Sequence, residues 1–177
     1  MKEQQIIIAG FGGQGILSAG RLLAYAGMLE NKSVSWLPSY GPEMRGGTAN
    51  CNIIITDGQV GSPIVNSASA LIAMNTPSLE KFEKFVRSNG VIIVDSSLVS
   101  KQIKRDDVAV YRIPATEMAM EAGNTTFANI YLLGKLIAHT GIIEPESIEA
   151  ALKNVLKEKY HNLIPKEMEI LKTGMQY

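Results

Sequence analysis

Gly10-Phe11-Gly12-Gly13-Gln14-Gly15 is the first stretch whose residue types and spacing can do chemistry. Glycines let the backbone take positive φ and let a ligand approach without meeting Cβ atoms. A helix pattern follows at once, with Ile16, Leu17, Ala19, Leu22 and Leu23 among its apolar positions. A helix starting there offers unpaired N–H groups and a partial positive charge to a phosphate or carboxylate. Gly10, Gly12, Gly13, Gln14 and Gly15 are therefore candidate residues of an anion site. The same turn can instead serve tight packing alone. Two more specific readings fail on their own terms. A Walker-type phosphate loop needs Lys-Ser/Thr after its last glycine, but Ile16-Leu17 stand here. A dinucleotide site wants a carboxylate at the end of the second strand, and Ser33-Val34-Ser35-Trp36-Leu37 runs into Pro38 without one.

The second stretch is Pro38-Ser39-Tyr40-Gly41-Pro42-Glu43-Met44-Arg45-Gly46-Gly47. Its prolines and glycines break regular structure and predict a shaped loop. Tyr40, Met44 and Arg45 are unusual residues for a loop that only turns the chain. Arg45 can supply a forked, permanently charged donor to a phosphate, and Gly46-Gly47 can keep the backbone close. Tyr40, Arg45, Gly46 and Gly47 join the candidate binding residues.

The elements that position these loops read as an α/β fold. Ile6-Ile7-Ile8-Ala9 is a short β-branched strand, and strand, glycine turn and helix form the opening unit of a nucleotide-type domain. Thr48 to Thr56 is a third strand, and Asp57-Gly58 predicts a hairpin in which Gln59-Val60-Gly61 folds back antiparallel. Ala70 to Met74 is a buried strand, followed by a helix over Ser78 to Val86 and an Asn89-Gly90 turn. Val91 to Asp95 is apolar on both faces and so central in a sheet. Asp95-Ser96-Ser97 lies at its carboxyl end, where it can meet a ligand or cap the next segment. Val108 to Ile113 is the last strand, Ala115 to Ala122 a short helix, and Thr125 or Thr126 the predicted N-cap of a strong apolar helix closed by Gly141. A helix from Glu144-Pro145 and a charged tail complete the chain, the tail docking on the domain or on a partner. These elements predict a three-layer α/β/α fold, Rossmann-like, with a mixed and mostly parallel sheet, in one domain over residues 1–177.

Composition narrows the classes. With 17 Lys+Arg against 17 Asp+Glu, the net charge is zero and gives no footprint for nucleic acid or a membrane surface. The single cysteine, Cys51, excludes an internal disulfide and a multi-cysteine zinc or iron–sulfur site within this chain. Placed inside a strand, it reads as a small buried residue. His139 and His161 lack ligand spacing to other metal-binding residues and are assigned no catalytic role. Met1-Lys2-Glu3 leads directly into a strand with no apolar leader, which points to a cytoplasmic protein.

Taken together, the glycine turn and the Ser39–Thr48 loop, with Ala73-Met74-Asn75 and Pro77, Val94-Asp95-Ser96, and Gly123-Asn124 with Asn129, resemble a known family. They are similar to the gamma subunit of thiamine-diphosphate-dependent 2-oxoacid:ferredoxin oxidoreductases, and the resemblance covers essentially the whole chain. It implies a subunit, inactive alone, of an enzyme that oxidatively decarboxylates a 2-oxoacid to an acyl-coenzyme A and passes electrons to ferredoxin. Thiamine diphosphate and iron–sulfur clusters would sit in partner alpha, beta and ferredoxin-like delta subunits or domains. This chain would contribute to coenzyme A binding and active-site closure. A stand-alone nucleotide-binding module and a purely structural assembly subunit are the alternatives. Pyruvate, 2-oxoglutarate, branched-chain 2-oxoacids and indolepyruvate all remain open as substrates.

Overall fold

Strand β1 (Glu3–Phe11) shows how the chain builds its layers. Successive side chains on a strand point to opposite faces. Ile6 and Ile8 enter one apolar cluster, while Ile7 and Ala9 enter a second on the other face. A strand buried on both sides belongs in the middle of a sheet covered twice. The computed structural model bears this out; it describes residues 3–40 and 48–177, with Tyr40 described in its backbone alone.

The sheet has six strands in the order β2-β3-β1-β4-β5-β6. The remaining strands are β2 (Ser33–Tyr40), β3 (Thr48–Thr56), β4 (Ala68–Ala73), β5 (Val86–Asp95) and β6 (Ala109–Ile113). β1, β4, β5 and β6 run parallel, and β3 runs antiparallel to both β1 and β2. Helices α1 (Ile16–Leu29), α3 (Ala115–Glu121), α4 (Ala128–Thr140), α5 (Pro145–Val155) and α6 (Ile164–Gln176) pack their apolar faces into the larger cluster. Helix α2 (Thr76–Phe82) covers the other face through Leu79 and Phe82. The α/β class, the three layers and the mixed sheet match the expectation.

Several local expectations are corrected. No return strand follows Asp57-Gly58; the segment after β3 carries no strand until Ala68. The reason is pairing: β3 is bonded along its length to β1 on one side and β2 on the other, leaving no free edge. The sheet is mixed because β3 itself is antiparallel. β2 does not stop before Pro38 but continues to Tyr40, since an edge strand tolerates proline. β1 and β2 are therefore not neighbours. They point the same way with β3 between them, and Gly10 and Tyr40 both pair with Ala49.

The helix expected over Ser78 to Val86 ends at Phe82, continues as a 3₁₀ turn over Glu83–Phe85, and yields Val86 to β5. Asn89-Gly90 is not a turn before the strand but an irregularity within it. Asn89 takes φ 63°, which asparagine tolerates, and the register to β4 shifts between Ala68 and Ala70. The cap before α4 is Asn124, whose side chain accepts from the Thr126 N–H at 3.0 Å, not either threonine. Gly141 does close α4, at φ 56°.

The charged tail docks on the domain. α6 crosses α4 closely enough that a Cβ on Gly134 would lie 2.2 Å from the Leu171 carbonyl oxygen. A Cβ on Gly174 would lie 2.1 Å from that of Tyr131. This crossing fixes the wall on which the cleft described below is built.

Candidate functional site

The site begins where β1 meets β4. These strands are parallel neighbours, yet α1 leaves to one face of the sheet and α2 to the other. Such a switch point opens a crevice at the carboxyl ends of the strands, and the glycine turn lies on it.

Side chains from distant segments hold the turn in shape. Gln14 Oε1 accepts the Phe11 N–H at 2.6 Å, and its Nε2 donates to the Met74 carbonyl at 3.2 Å, tying the turn to the end of β4. Gly10 makes room for this, because a Cβ there would stand 2.5 Å from Gln14 Oε1. Asn129 at the start of α4 donates Nδ2 to the carbonyls of Gln14 at 3.1 Å and Gly15 at 3.2 Å. A Cβ on Gly15, at φ 74°, would meet that amide nitrogen at 2.1 Å. Gly10 and Gly15 are thus required by the packing of the turn. Gly13 is different: it takes φ 96° and faces open space, with nothing within 4 Å of a built Cβ. Phe11 and Gly12 are exposed beside it.

Gly15 is the N-cap of α1. No side chain caps the helix, and its first turn carries no acidic residue. The first N–H groups of a helix have no intrahelical partner, and the macrodipole makes their end positive. The carbonyls of Gln14 and Gly15 are occupied by Asn129 and by the Ala19 N–H, while Gly13 faces open space and α1 has no side-chain cap.

The other loop ends bear on the same edge. Asn75 Oδ1 accepts the Ser78 N–H at 2.8 Å and starts α2. Asn75 Nδ2 and Ser78 Oγ are buried without a hydrogen-bond partner among the described residues. Asp95 is fully buried and structural in its contacts: its carboxylate accepts from the Ser97 N–H, the Thr116 N–H and the Thr116 hydroxyl, tying β5 to α3. Of its two expected roles, the capping one is what its contacts support. Arg45, Gly46, Gly47 and the side chain of Tyr40 lie outside the described residues.

Cys51 is buried in β3, with its sulfur 3.6 Å from the Ile16 carbonyl oxygen and close behind Gly20. Burial pushes its thiol up to about 12, with the Trp36 indole opposing the shift, so it holds no thiolate near neutral pH. His139 bonds Tyr111 Oη at 3.2 Å, and His161 sits by the Leu156 carbonyl.

Beside the turn, α1, α4, α5 and α6 line a half-open cleft of about 240 Å³, with Gly13, Gly15 and Ser18 among its lining residues. Its walls are mainly apolar, yet Glu167 of α6 lines it and is only 9% exposed. Burial raises the pKa of this carboxyl. Sequence reasoning missed Glu167, although Ile164, Glu167, Met168 and Leu171 share one helical stripe, so a carboxylate stands among core positions. Asn129 was legible only as part of a resemblance; its clamp on the turn comes from a sequence separation of more than a hundred residues. Among the described residues, no group of three metal-ligating side chains comes together and no helix is long and apolar enough to cross a membrane.

A mixed sheet with a glycine turn at its switch point defines an α/β domain, and comparison with known proteins gives its family. The profile described as pyruvate ferredoxin/flavodoxin oxidoreductase matches residues 5–177. The chain belongs to that family. It is 38% identical over 178 residues to ketoisovalerate oxidoreductase subunit VorA of Methanothermobacter marburgensis, covering 99% of this chain and 37% of that protein. The chain thus spans about a third of the length of that curated relative. A crystal structure of a keto/oxoacid ferredoxin oxidoreductase gamma subunit from Geobacter sulfurreducens superposes with a TM-score of 0.82 at 29% identity, covering 98% of this chain and 96% of that one. The fold also recurs, at a TM-score of 0.88 and 21% identity, in a 2-oxoglutarate:ferredoxin oxidoreductase from Magnetococcus marinus holding 2-oxoglutarate, coenzyme A and succinyl-CoA; it covers 99% of this chain and 31% of that one.

Proposed function

We propose that this chain is the gamma-type unit, over residues 1–177, of a cytoplasmic 2-oxoacid:ferredoxin oxidoreductase. The reaction of the complex consumes a 2-oxoacid, coenzyme A and two oxidised ferredoxins. It yields an acyl-coenzyme A, carbon dioxide, a proton and two reduced ferredoxins. Alpha and beta units bind thiamine diphosphate, and a ferredoxin-like delta unit or domain carries iron–sulfur clusters. This chain, inactive alone, contributes to coenzyme A binding and closes the active site.

The observation that carries the reading is the glycine turn, clamped from behind by Gln14 and Asn129 and open at Gly13 onto the uncapped N-terminus of α1. A phosphate of coenzyme A meets the N–H groups there without a Cβ in its way. Gly10, Gly12, Gly13, Gln14 and Gly15 form that cradle. Tyr40, Arg45, Gly46 and Gly47 supply the second side, with the Arg45 guanidinium on another phosphate. The backbones of Gly10 and Tyr40 flank Ala49 at the same sheet edge, which supports the pairing of the two loops.

The test is kinetic. Arg45→Ala and Gly13→Asp in the intact complex raise the apparent KM for coenzyme A about tenfold or more, about 1.4 kcal/mol each, with subunit composition unchanged. Dissociation of the complex with an unchanged KM in the remaining fraction identifies the loops as assembly contacts and overturns the reading.

A further inference from the structure

Strand β5 is interrupted where it enters the sheet. Val86 pairs with Ala68 of β4, and the pairing resumes at Val91 with Ala70. The register with β6 also begins at Val91. Residues 87–90 therefore form a bulge opposite the single residue Ser69, and Arg87, Ser88 and Asn89 are exposed on it. The segment before β6 anchors this bulge. The Asn89 N–H donates to the Asp107 carbonyl at 2.7 Å, and the Ser88 hydroxyl donates to the Asp107 carboxylate at 2.8 Å. Backbone geometry fixes the next two residue types. Asn89 stands at φ 63°, where asparagine is tolerated and most other side chains are strained. A Cβ on Gly90 would lie 2.8 Å from the Arg87 carbonyl oxygen and 3.0 Å from that of Ser69, so glycine alone fits. The fold thus holds an exposed asparagine directly before a required glycine.

We propose that Asn89 is a site of spontaneous deamidation in the folded protein. The Gly90 amide nitrogen attacks the side-chain carbonyl carbon of Asn89 and gives up its proton, ammonia leaves, and a five-membered imide forms. Water then opens one of the two C–N bonds of the imide, giving aspartate or isoaspartate. The sum is amide plus water to carboxylate plus ammonium, with no oxidant or reductant consumed. Gly90 presents no side chain to obstruct the ring, and the exposed Asn89 is open to water. The bulge residues have no register partner in β4 or β6, so the rotation that closes the ring leaves the Val91–Asp95 ladder paired. Either product puts a negative charge on the residue bonded to Asp107, whose carboxylate already accepts from Ser88 and Arg105. Isoaspartate also lengthens the backbone by one carbon at the entry to a strand buried on both faces. The bulge lies at the amino end of β5, away from the carboxyl edge that carries the glycine turn, and the reaction is independent of the coenzyme A reading.

The experiment is an ageing series of the purified protein at pH 8 and 37 °C, with samples digested under mildly acidic conditions and read by chromatography and mass spectrometry. The peptide holding Asn89 is expected to gain the mass of an amide-to-acid change and to split into aspartyl and isoaspartyl forms. It converts at least tenfold faster than the peptide holding Asn66, which is also exposed but is followed by Ser67. Its rate in the native protein stays within tenfold of that in the urea-unfolded chain. An Asn89 peptide that keeps its mass in the native protein, while it converts in urea, overturns the proposal, because the bulge then locks the amide. Asn89→Gly keeps the positive φ and removes the reacting amide. Ageing lowers the Tm of the wild type and leaves that of Asn89→Gly unchanged. An equal fall in both overturns the stated consequence for the tie between the bulge and Asp107.

Discussion

Replacing Gly15 by alanine forces two penalties that can be separated. The residue sits at φ 74°, and an L-side chain there costs about 1–2 kcal/mol. Its Cβ also lands 2.1 Å from Asn129 Nδ2 and displaces the amide that bonds the carbonyls of Gln14 and Gly15. Losing those two bonds costs about 1 kcal/mol each, so Gly15→Ala destabilises by about 3–4 kcal/mol. For a chain of this size 1 kcal/mol corresponds to roughly 2–4 °C, giving a fall in Tm of about 6–16 °C. Asn129→Ala alone costs about 2 kcal/mol, all of it from the same two bonds. In the Gly15→Ala background those bonds are already gone, so adding Asn129→Ala changes little. The double-mutant cycle then shows about 2 kcal/mol of coupling, measured by denaturant unfolding followed by circular dichroism. Gly13→Ala is the control. Its φ of 96° carries strain, but its Cβ meets nothing, so the cost is about 1–2 kcal/mol. Additive effects of Gly15 and Asn129, or a Gly13 variant as damaging as Gly15→Ala, would refute the clamp.

Three further outcomes follow from the same geometry. Cys51, its thiol pushed up to about 12, resists alkylation in the native protein at pH 8 and reacts on unfolding; rapid native labelling in a thiol-modification time course contradicts its burial. Glu167 has a folded pKa above its unfolded value of about 4.3, so its protonated form is favoured by folding and its penalty grows as pH rises through the folded pKa. Glu167→Gln without ligand therefore raises Tm at pH 8 and loses that gain towards pH 4, and a pH-independent effect in a Tm series counts against the burial of the carboxyl. Gly174→Ala drives a Cβ into the Tyr131 carbonyl and loosens α6 from α4 at a cost of about 1–3 kcal/mol, read as earlier hydrogen exchange across residues 164–176; unchanged exchange there excludes the close crossing.

The parts of the fold that were legible in the sequence rest on local signals. The Ile6–Ala9 run, the glycine turn and the periodic α1 each announce themselves within a few residues. Gly141 and Glu144-Pro145 did the same for the ends of α4 and α5. What failed depended on distant pairing. Asp57-Gly58 has hairpin chemistry, but β1 and β2 already hold both edges of β3. Pro38 would end a central strand, yet β2 is an edge, a fact no local pattern carries. In the candidate site the glycines were readable, while their division into packing positions at Gly10 and Gly15 and an open position at Gly13 needed Gln14 and Asn129 in place. Glu167 was the reverse case: its helical stripe was visible, and its meaning came only with the cleft.

The most direct measurement of the proposed function is anaerobic purification of the tagged chain from its native cells, with its companions identified by mass spectrometry and the eluate assayed for 2-oxoacid-dependent, coenzyme A-dependent reduction of ferredoxin. Stoichiometric partners carrying thiamine diphosphate and iron–sulfur clusters, with activity on a 2-oxoacid, are the predicted result. A chain that elutes alone, folded and binding a nucleotide at the glycine turn, contradicts the subunit reading and makes that turn a free-standing site.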